Sequence, residues 1–162
     1  MRFIVGVDPG NIQTAYCLID DAMLRPIEFG KADNAKVKDR LKLCGDECVF
    51  AIERVASYGM AVGKSVFETC EWIGRFTEAI GEHRVNYIYR IEEKQHICHD
   101  SRARDANIRR ALIDRFAGRD FKNGKGTKNN PDWFYGFSAD VWSAYAVAIT
   151  YAEKWSKEND YG

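Results

Sequence analysis

Apolar positions alternate with small or polar ones over residues 2–8, 14–20 and 23–30, and the first run ends in the turn chemistry of Asp8-Pro9-Gly10-Asn11. Three such runs in close succession predict an antiparallel meander of strands. The period then changes. Over residues 34–43, Val37, Leu41 and Leu43 recur among charged positions and Gly45 follows, which predicts a surface helix. Residues 48–53 form a short apolar run that ends in an acid, as expected of a buried strand, and residues 64–80 return to helical spacing. A fifth strand is expected over residues 85–91, and helices over 103–117 and 139–155. The Gly-, Lys- and Asn-rich residues 118–136 between them predict a polar, mobile loop.

A helix between the fourth and fifth strands implies a right-handed parallel crossover. Joined to the meander, it predicts an α/β fold with a five-stranded mixed sheet, order 3-2-1-4-5, flanked by helices. This order resembles that of the ribonuclease H fold.

The chain has 162 residues, which predicts one domain over residues 1–162, and its 46% hydrophobic and 30% charged residues are a globular composition. No apolar run reaches the roughly 18 residues that span a bilayer. Met1-Arg2 leads directly into a strand-like run with no space for a leader, and the five cysteines are odd in number, so a reduced cytoplasmic compartment is expected. Basic and acidic residues balance at 24 each, but unevenly: between Arg84 and Lys128 there are twelve basic residues and six acidic ones. Such asymmetry suits a face that binds a polyanion, although a charge run also serves as a solvated surface.

Three acids stand where a solvated surface charge would be unusual. Asp8 ends the first strand, Glu53 ends the fourth, and Asp140 opens the last helix in Phe137-Ser138-Ala139-Asp140-Val141-Trp142. If the first and fourth strands are parallel neighbours, both strand acids reach the carboxyl edge beside a topological switch point, where open α/β sheets bind ligands. Carboxylates brought together need a cation, and hard oxygen ligands favour Mg²⁺ or Mn²⁺. Two such ions catalyse phosphodiester hydrolysis by activating water on one side and stabilising the leaving oxygen on the other. Asp140 taken alone would serve equally as a partner for its helix N-terminus.

These features resemble the RuvC-type Holliday junction resolvases of the ribonuclease H-like superfamily, in particular their short phage-type members. The resemblance rests on Gly6-Val7-Asp8-Pro9-Gly10 with Thr14 and Tyr16, on Ala51-Ile52-Glu53, and on Asp140 followed by Ala144-Tyr145-Ala146-Val147-Ala148. It implies that Asp8, Glu53 and Asp140 are catalytic and hold two Mg²⁺ ions, with Mn²⁺ able to substitute, in a homodimer that nicks two strands of a four-way DNA junction. The family usually carries an Asp-x-x-Asp pair at this helix; here the second position is Ser143, a weaker ligand. The family places a lysine after the fifth strand, which Lys94 matches, and another near the start of the next helix, where this chain has Asp105 beside Arg104; Lys94, Arg102 and Arg104 are therefore expected to contact phosphates. The family's junction-entering aromatic aligns with Ala56, and nearby Tyr58 is the ring expected to stack on an unpaired base, or else to pack on the rim. Flap, fork or RNA-directed cleavage, or junction binding with weak catalysis, are the alternative functions.

Gly59-Met60-Ala61-Val62-Gly63-Lys64-Ser65 imitates a phosphate loop but has one residue too few between its glycines, so no nucleotide cofactor is expected. Cys44 and Cys48, with His96, Cys98 and His99, lack a second close cysteine pair at zinc-site spacing. On residues 64–80 the apolar side chains cover roughly 240° of the helix, more than one core needs. That width predicts a dimer interface through Val66, Trp72, Ile73 and Phe76.

Overall fold

A computed structural model describes residues 2–156; residue 1 and residues 157–162, the ends of the predicted single domain, lie outside the described residues. Strands β1 (Phe3–Asp8), β2 (Gln13–Asp20) and β3 (Pro26–Asp33) form the meander, α1 (Asn34–Lys42) follows, and β4 (Cys48–Arg54), α2 (Lys64–Ile80) and β5 (Val85–Tyr89) form the crossover. The sheet order is β3-β2-β1-β4-β5, with β1 antiparallel to β2 and parallel to β4, and β4 parallel to β5. Helices α3 (Arg90–Cys98), α4 (Asp105–Phe116) and α5 (Ala139–Tyr151) complete the fold, and a π-helical turn, Ala152–Ser156, extends α5.

Strand alternation sorts the side chains. Val5, Val7, Phe50 and Ile52 point to the face covered by α1 and α2, where they meet Val37, Leu41, Ile73, Phe76 and Ile80. Ile4, Ala15, Cys17, Ile19, Ala51 and Ile88 point to the opposite face, against Ile108, Leu112, Val141, Tyr145, Ala148 and Ile149. Gly6 lies on this second face, and it has no room for a side chain: a Cβ there would come within 2.0 Å of the Ala144 carbonyl oxygen and 2.9 Å of the Ala148 Cβ. The small residues of β1 and α5 therefore let the helix lie directly on the strand. Helix α5 is buried almost all round from Val141 to Tyr151, as an apolar helix inside a domain must be. Its less buried positions, Ala139, Asp140 and Ser143, are at the end nearest the carboxyl edge of β1.

Four expectations need correction. The third strand starts at Pro26 and not at residue 23, because the Asp20 carboxylate accepts the Met23 and Arg25 N–H groups and closes a turn in which Leu24 is left-handed at φ 64°. The fifth strand stops at Tyr89: the Glu92 carboxylate accepts the Tyr89 N–H at 2.8 Å, starting a helix at Arg90 that was not expected. Residues 118–136 are ordered by two aspartates. Asp132 accepts the backbone N–H groups of Gly118, Arg119, Asp120 and Trp133, and Asp120 accepts those of Asn123, Lys125 and Gly126. Phe134 then packs edge-on against Phe137 and Tyr145 and pins the loop to the core. Finally, Ile73 (6% exposed) and Phe76 (fully buried) belong to the chain's own core, so they are not available to a partner; the outward surface of α2 carries Phe67, 58% exposed, and half-buried Val66 and Trp72.

Candidate active site

The alternation that packs the core also positions the acids. Asp8 follows Ile4 and Gly6 on the α5 face of β1, and Glu53 follows Ala51 on the same face of β4. Because β1 and β4 are parallel neighbours, with Val7 beside Ile52, both carboxylates end at one edge of the sheet. The turn after Asp8 is fixed from below: the Thr14 hydroxyl accepts the Gly10 N–H at 3.3 Å and donates to the buried Asn34 side chain at 2.6 Å, whose amide returns to the Gly10 carbonyl at 2.9 Å. Gly10 has no space for a Cβ, which would meet the Gln13 carbonyl oxygen at 2.3 Å.

Asp8, Glu53 and Asp140 are brought into one electrostatic neighbourhood. Burial, then a hydrogen bond and the charge of Glu53, and then the charge of Asp140 push the Asp8 carboxyl up to about 9. Glu53 is pushed up to about 8, by burial first and then by the charge of Glu93. Asp140 is directed to Lys31 of β3 by a close ion pair, and both side chains line an open concavity with Asp8, Gly10 and Gln13. Ser143 lies one helical turn from Asp140, and the two line a small recess together with Arg90, Asp105 and Arg109.

A fourth acid, Glu93, was missed by the sequence reading. It stands in the first turn of the unexpected helix α3 and is fully buried. Burial pushes its carboxyl up to about 7, against the hydrogen bond from Glu53 and the charge of Arg90. Arg90 reaches three acids: Glu93 Oε1 at 3.0 Å, Glu53 Oε1 at 3.8 Å, and Asp105 in a close pair that brings the start of α4 to the site. The sequence did carry a signal. A helix start at Arg90 places Glu92 at its third position, able to cap the preceding N–H, and turns Glu93 inward.

The donor set fits a hard divalent cation. Glu53 Oε1 and Glu93 Oε2 are buried and meet no hydrogen-bond donor. The contacts between Asp8, Glu53 and Glu93 can be hydrogen bonds only where a proton lies between two carboxylates, and a cation would take that place. Among the described residues no three Asp, Glu, His or Cys side chains form a ready-made cage. With Asp140 paired to Lys31, a cage that includes it requires that pair to open.

The other predicted residues are distributed around this edge. Tyr58 is 62% exposed, with a left-handed backbone at φ 49°, and lines a recess with Pro9, Glu53, Arg54 and Arg90. Lys94 is half-buried on α3, next to Glu93. Arg102 is exposed and pairs with Asp100 at 3.4 Å. Arg104 is exposed at the head of α4, its N–H capped by Asn107 at 2.9 Å. Beyond Asp105 a concavity of 430 Å³ is lined by Arg109, Arg110, Lys122, Lys125 and Trp142, so part of the basic segment gathers beside the acids.

By sequence, the chain matches no protein-family model and no curated protein. By structure it superposes on Thermus thermophilus RuvC with a TM-score of 0.65 and 13% identity, covering 93% of each chain. The fold is the ribonuclease H-like fold of RuvC. A second structure of the T. thermophilus RuvC, in complex with a Holliday junction substrate, gives a TM-score of 0.66 at 14% identity over 94% of this chain and 93% of that one. The large terminase nuclease from thermophilic phage G20c aligns more loosely, with a TM-score of 0.44 at 11% identity over 94% of this chain and 82% of that one.

Proposed function

We propose that this RuvC-fold chain is a divalent-metal-dependent endonuclease of branched DNA, with the four-way junction as its substrate. The observation that carries the reading is the placement of Asp8 and Glu53 at one sheet edge, facing the first turn of α5, with a buried Glu53 oxygen that no donor meets. The fold shared with T. thermophilus RuvC, a protein whose structure is known with a Holliday junction, supports the choice of substrate.

Asp8, Glu53 and Asp140 would hold the cations, with Ser143 adding at most a weak oxygen contact. When bound, two hard divalent ions supply activation of the attacking water and charge neutralisation at the leaving 3′ oxygen. The chain's own residues do the rest. Gly10, Thr14 and Asn34 keep the Asp8 loop rigid, Arg90 holds the carboxyl groups of Glu53 and Glu93 in place, and the start of α5 keeps Asp140, paired with Lys31, on the concavity that Asp8 lines. Phosphates of the bound strands meet Lys94, Arg102, Arg104 and the basic concavity around Arg109 and Lys125, while Tyr58 offers a ring for stacking beside Glu53. Two copies joined through the outward surface of α2, by Val66, Phe67 and Trp72, would nick two arms together. Trp72→Glu should then give a folded monomer in sedimentation, and a wild type monomeric at micromolar concentration would remove the dimer from this proposal.

One panel tests the reading: labelled four-way junction, flap, fork, duplex and RNA–DNA hybrid, each with Mg²⁺, Mn²⁺ or Ca²⁺. The expected result is Mg²⁺- and Mn²⁺-dependent nicking of the junction in preference to the other substrates. Preferred cleavage of the flap, fork or hybrid would replace the substrate and keep the chemistry, and junction binding without cleavage in any metal would leave a binding protein.

A further inference from the structure

The first turn of α5 offers one carboxylate, Asp140, and a serine one turn later. On the opposite side of Glu53 stands Glu93, whose burial needs an explanation. A carboxylate with no solvent exposure normally has both oxygens satisfied by donors. Glu93 has one: Oε1 takes Arg90 Nη1 at 3.0 Å, while Oε2 is buried and meets no donor, and the carboxyl as a whole is in contact with that of Glu53. Arg90 cannot balance the cluster, because its single charge is shared with Glu53 and with Asp105. A residue needed only to hold Arg90 would not require a second, donorless oxygen buried in a carboxyl that touches a neighbouring acid.

We propose that Glu93 is the fourth acid of the cation site, adding from α3, through its contact with Glu53, the negative charge that the α5 side lacks at Ser143. This rests on the metal-dependent reading above. Affinity for a hard cation follows the number and charge of its carboxylates, and residues behind the direct ligands typically change metal affinity about 10- to 100-fold when removed. In this site Glu93 also holds the Glu53 carboxyl in register through Arg90, so that Glu53 presents a fixed oxygen to the edge where Asp8 ends.

Titration calorimetry of the full chain with MnCl₂, without DNA, tests the assignment independently of cleavage. Glu93→Gln, close to isosteric but uncharged, should weaken Mn²⁺ binding about tenfold or more, and Glu93→Asp, which keeps the charge but withdraws the carboxyl from Glu53, should weaken it by a smaller factor. Adding Ser143→Asp to Glu93→Gln should return the affinity to within a few fold of wild type, because it restores a carboxylate on the α5 side. Melting in EDTA separates folding from binding: the Gln variant should melt close to wild type. If it unfolds, the Asp variant decides. Wild-type Mn²⁺ affinity in a folded Gln variant, or in the Asp variant where the Gln variant unfolds, would make Glu93 a partner of Arg90 alone and overturn the inference. A wild-type chain that binds no Mn²⁺ would remove the metal-dependent reading itself.

Discussion

On the face of the sheet covered by α1 and α2, β1 and β4 carry Val5, Val7, Phe50 and Ile52, grouped with Val37, Leu41 and Phe76, and the one charged position, Arg54 at the end of β4, is exposed and lies over the Tyr87 ring. On the face covered by α5 the same strands run from Ile4 through Gly6 to Asp8 and from Ala51 to Glu53. Among the described residues the one fully buried charged side chain, Glu93, sits beside that second series. One face ends its core in a single exposed cation; the other uses the core to carry carboxylates into a half-buried edge where they repel one another. Mutual repulsion of this kind destabilises a chain unless something bound there offsets it, so the contrast singles out the α5 face as the candidate for the proposed cation site.

The largest effect should follow from Asp8→Asn and Glu53→Gln. Each should reduce Mg²⁺-dependent nicking of the junction by roughly a thousandfold or more, while binding in Ca²⁺ stays within a few fold, since metal ligands and not phosphate contacts are lost. Retained nicking by either purified variant would detach these acids from the chemistry.

Next in size come two core substitutions, one on each face. Phe76→Ala should cost about 3 to 5 kcal/mol in urea unfolding by opening a cavity under α2. Gly6→Val should cost at least about 3 kcal/mol, because the side chain would drive into the Ala144 carbonyl and push α5 from the strand. Only the second should also disturb Mn²⁺ binding in whatever folded fraction remains, as it displaces Asp140 from Asp8. Equal effects on metal binding would erase the distinction between the faces.

The pH dependence of stability without metal should be smaller but opposite in sign to the usual carboxylate case. Asp8, Glu53 and Glu93 titrate above the ordinary range, at about 9, 8 and 7. Between roughly pH 4 and those values the folded chain binds more protons than the unfolded chain. Their contribution is therefore fully present below about pH 4 and is lost as pH rises to about 9. The melting temperature in EDTA should fall between pH 6 and 9, and saturating Mn²⁺ should flatten the fall by replacing the protons. A melting temperature that is level or rising across that window would contradict the carboxylate repulsion inferred here.

The smallest effect concerns the outer surface. Arg102→Ala and Arg104→Ala should weaken junction binding alike for all sequences and each lower the slope of log K against log salt by up to about 1. An unchanged slope for both would shift the DNA face to the concavity around Arg109 and Lys125.

The strand order was legible because the chain changes from period two to helical period at the right places, and an acid at the end of two neighbouring parallel strands needs no tertiary information to be located. What the sequence concealed was an end and a beginning. Tyr89, Arg90 and Ile91 continue the β-like pattern of the fifth strand, and only the Glu92 carboxylate on the Tyr89 N–H reveals that the chain has already turned into a helix. Missing that turn hid Glu93. Residues 118–136 looked mobile because their composition is that of a loop; the order comes from Asp120 and Asp132 collecting seven backbone N–H groups, which only spacing in three dimensions reveals. The width of the apolar stripe on α2 overstated the partner surface, since Ile73 and Phe76 are used up by β1 and β4.

Whether the acids of the α5 face form a cation site is decided by anomalous diffraction from a Mn²⁺-soaked crystal of the wild-type chain. Mn²⁺ peaks are expected within coordination distance of the Asp8 and Glu53 carboxyl oxygens, with Asp140 released from Lys31 and turned toward them. Asp140 still paired with Lys31 and no peak at Asp8 and Glu53 would contradict such a site.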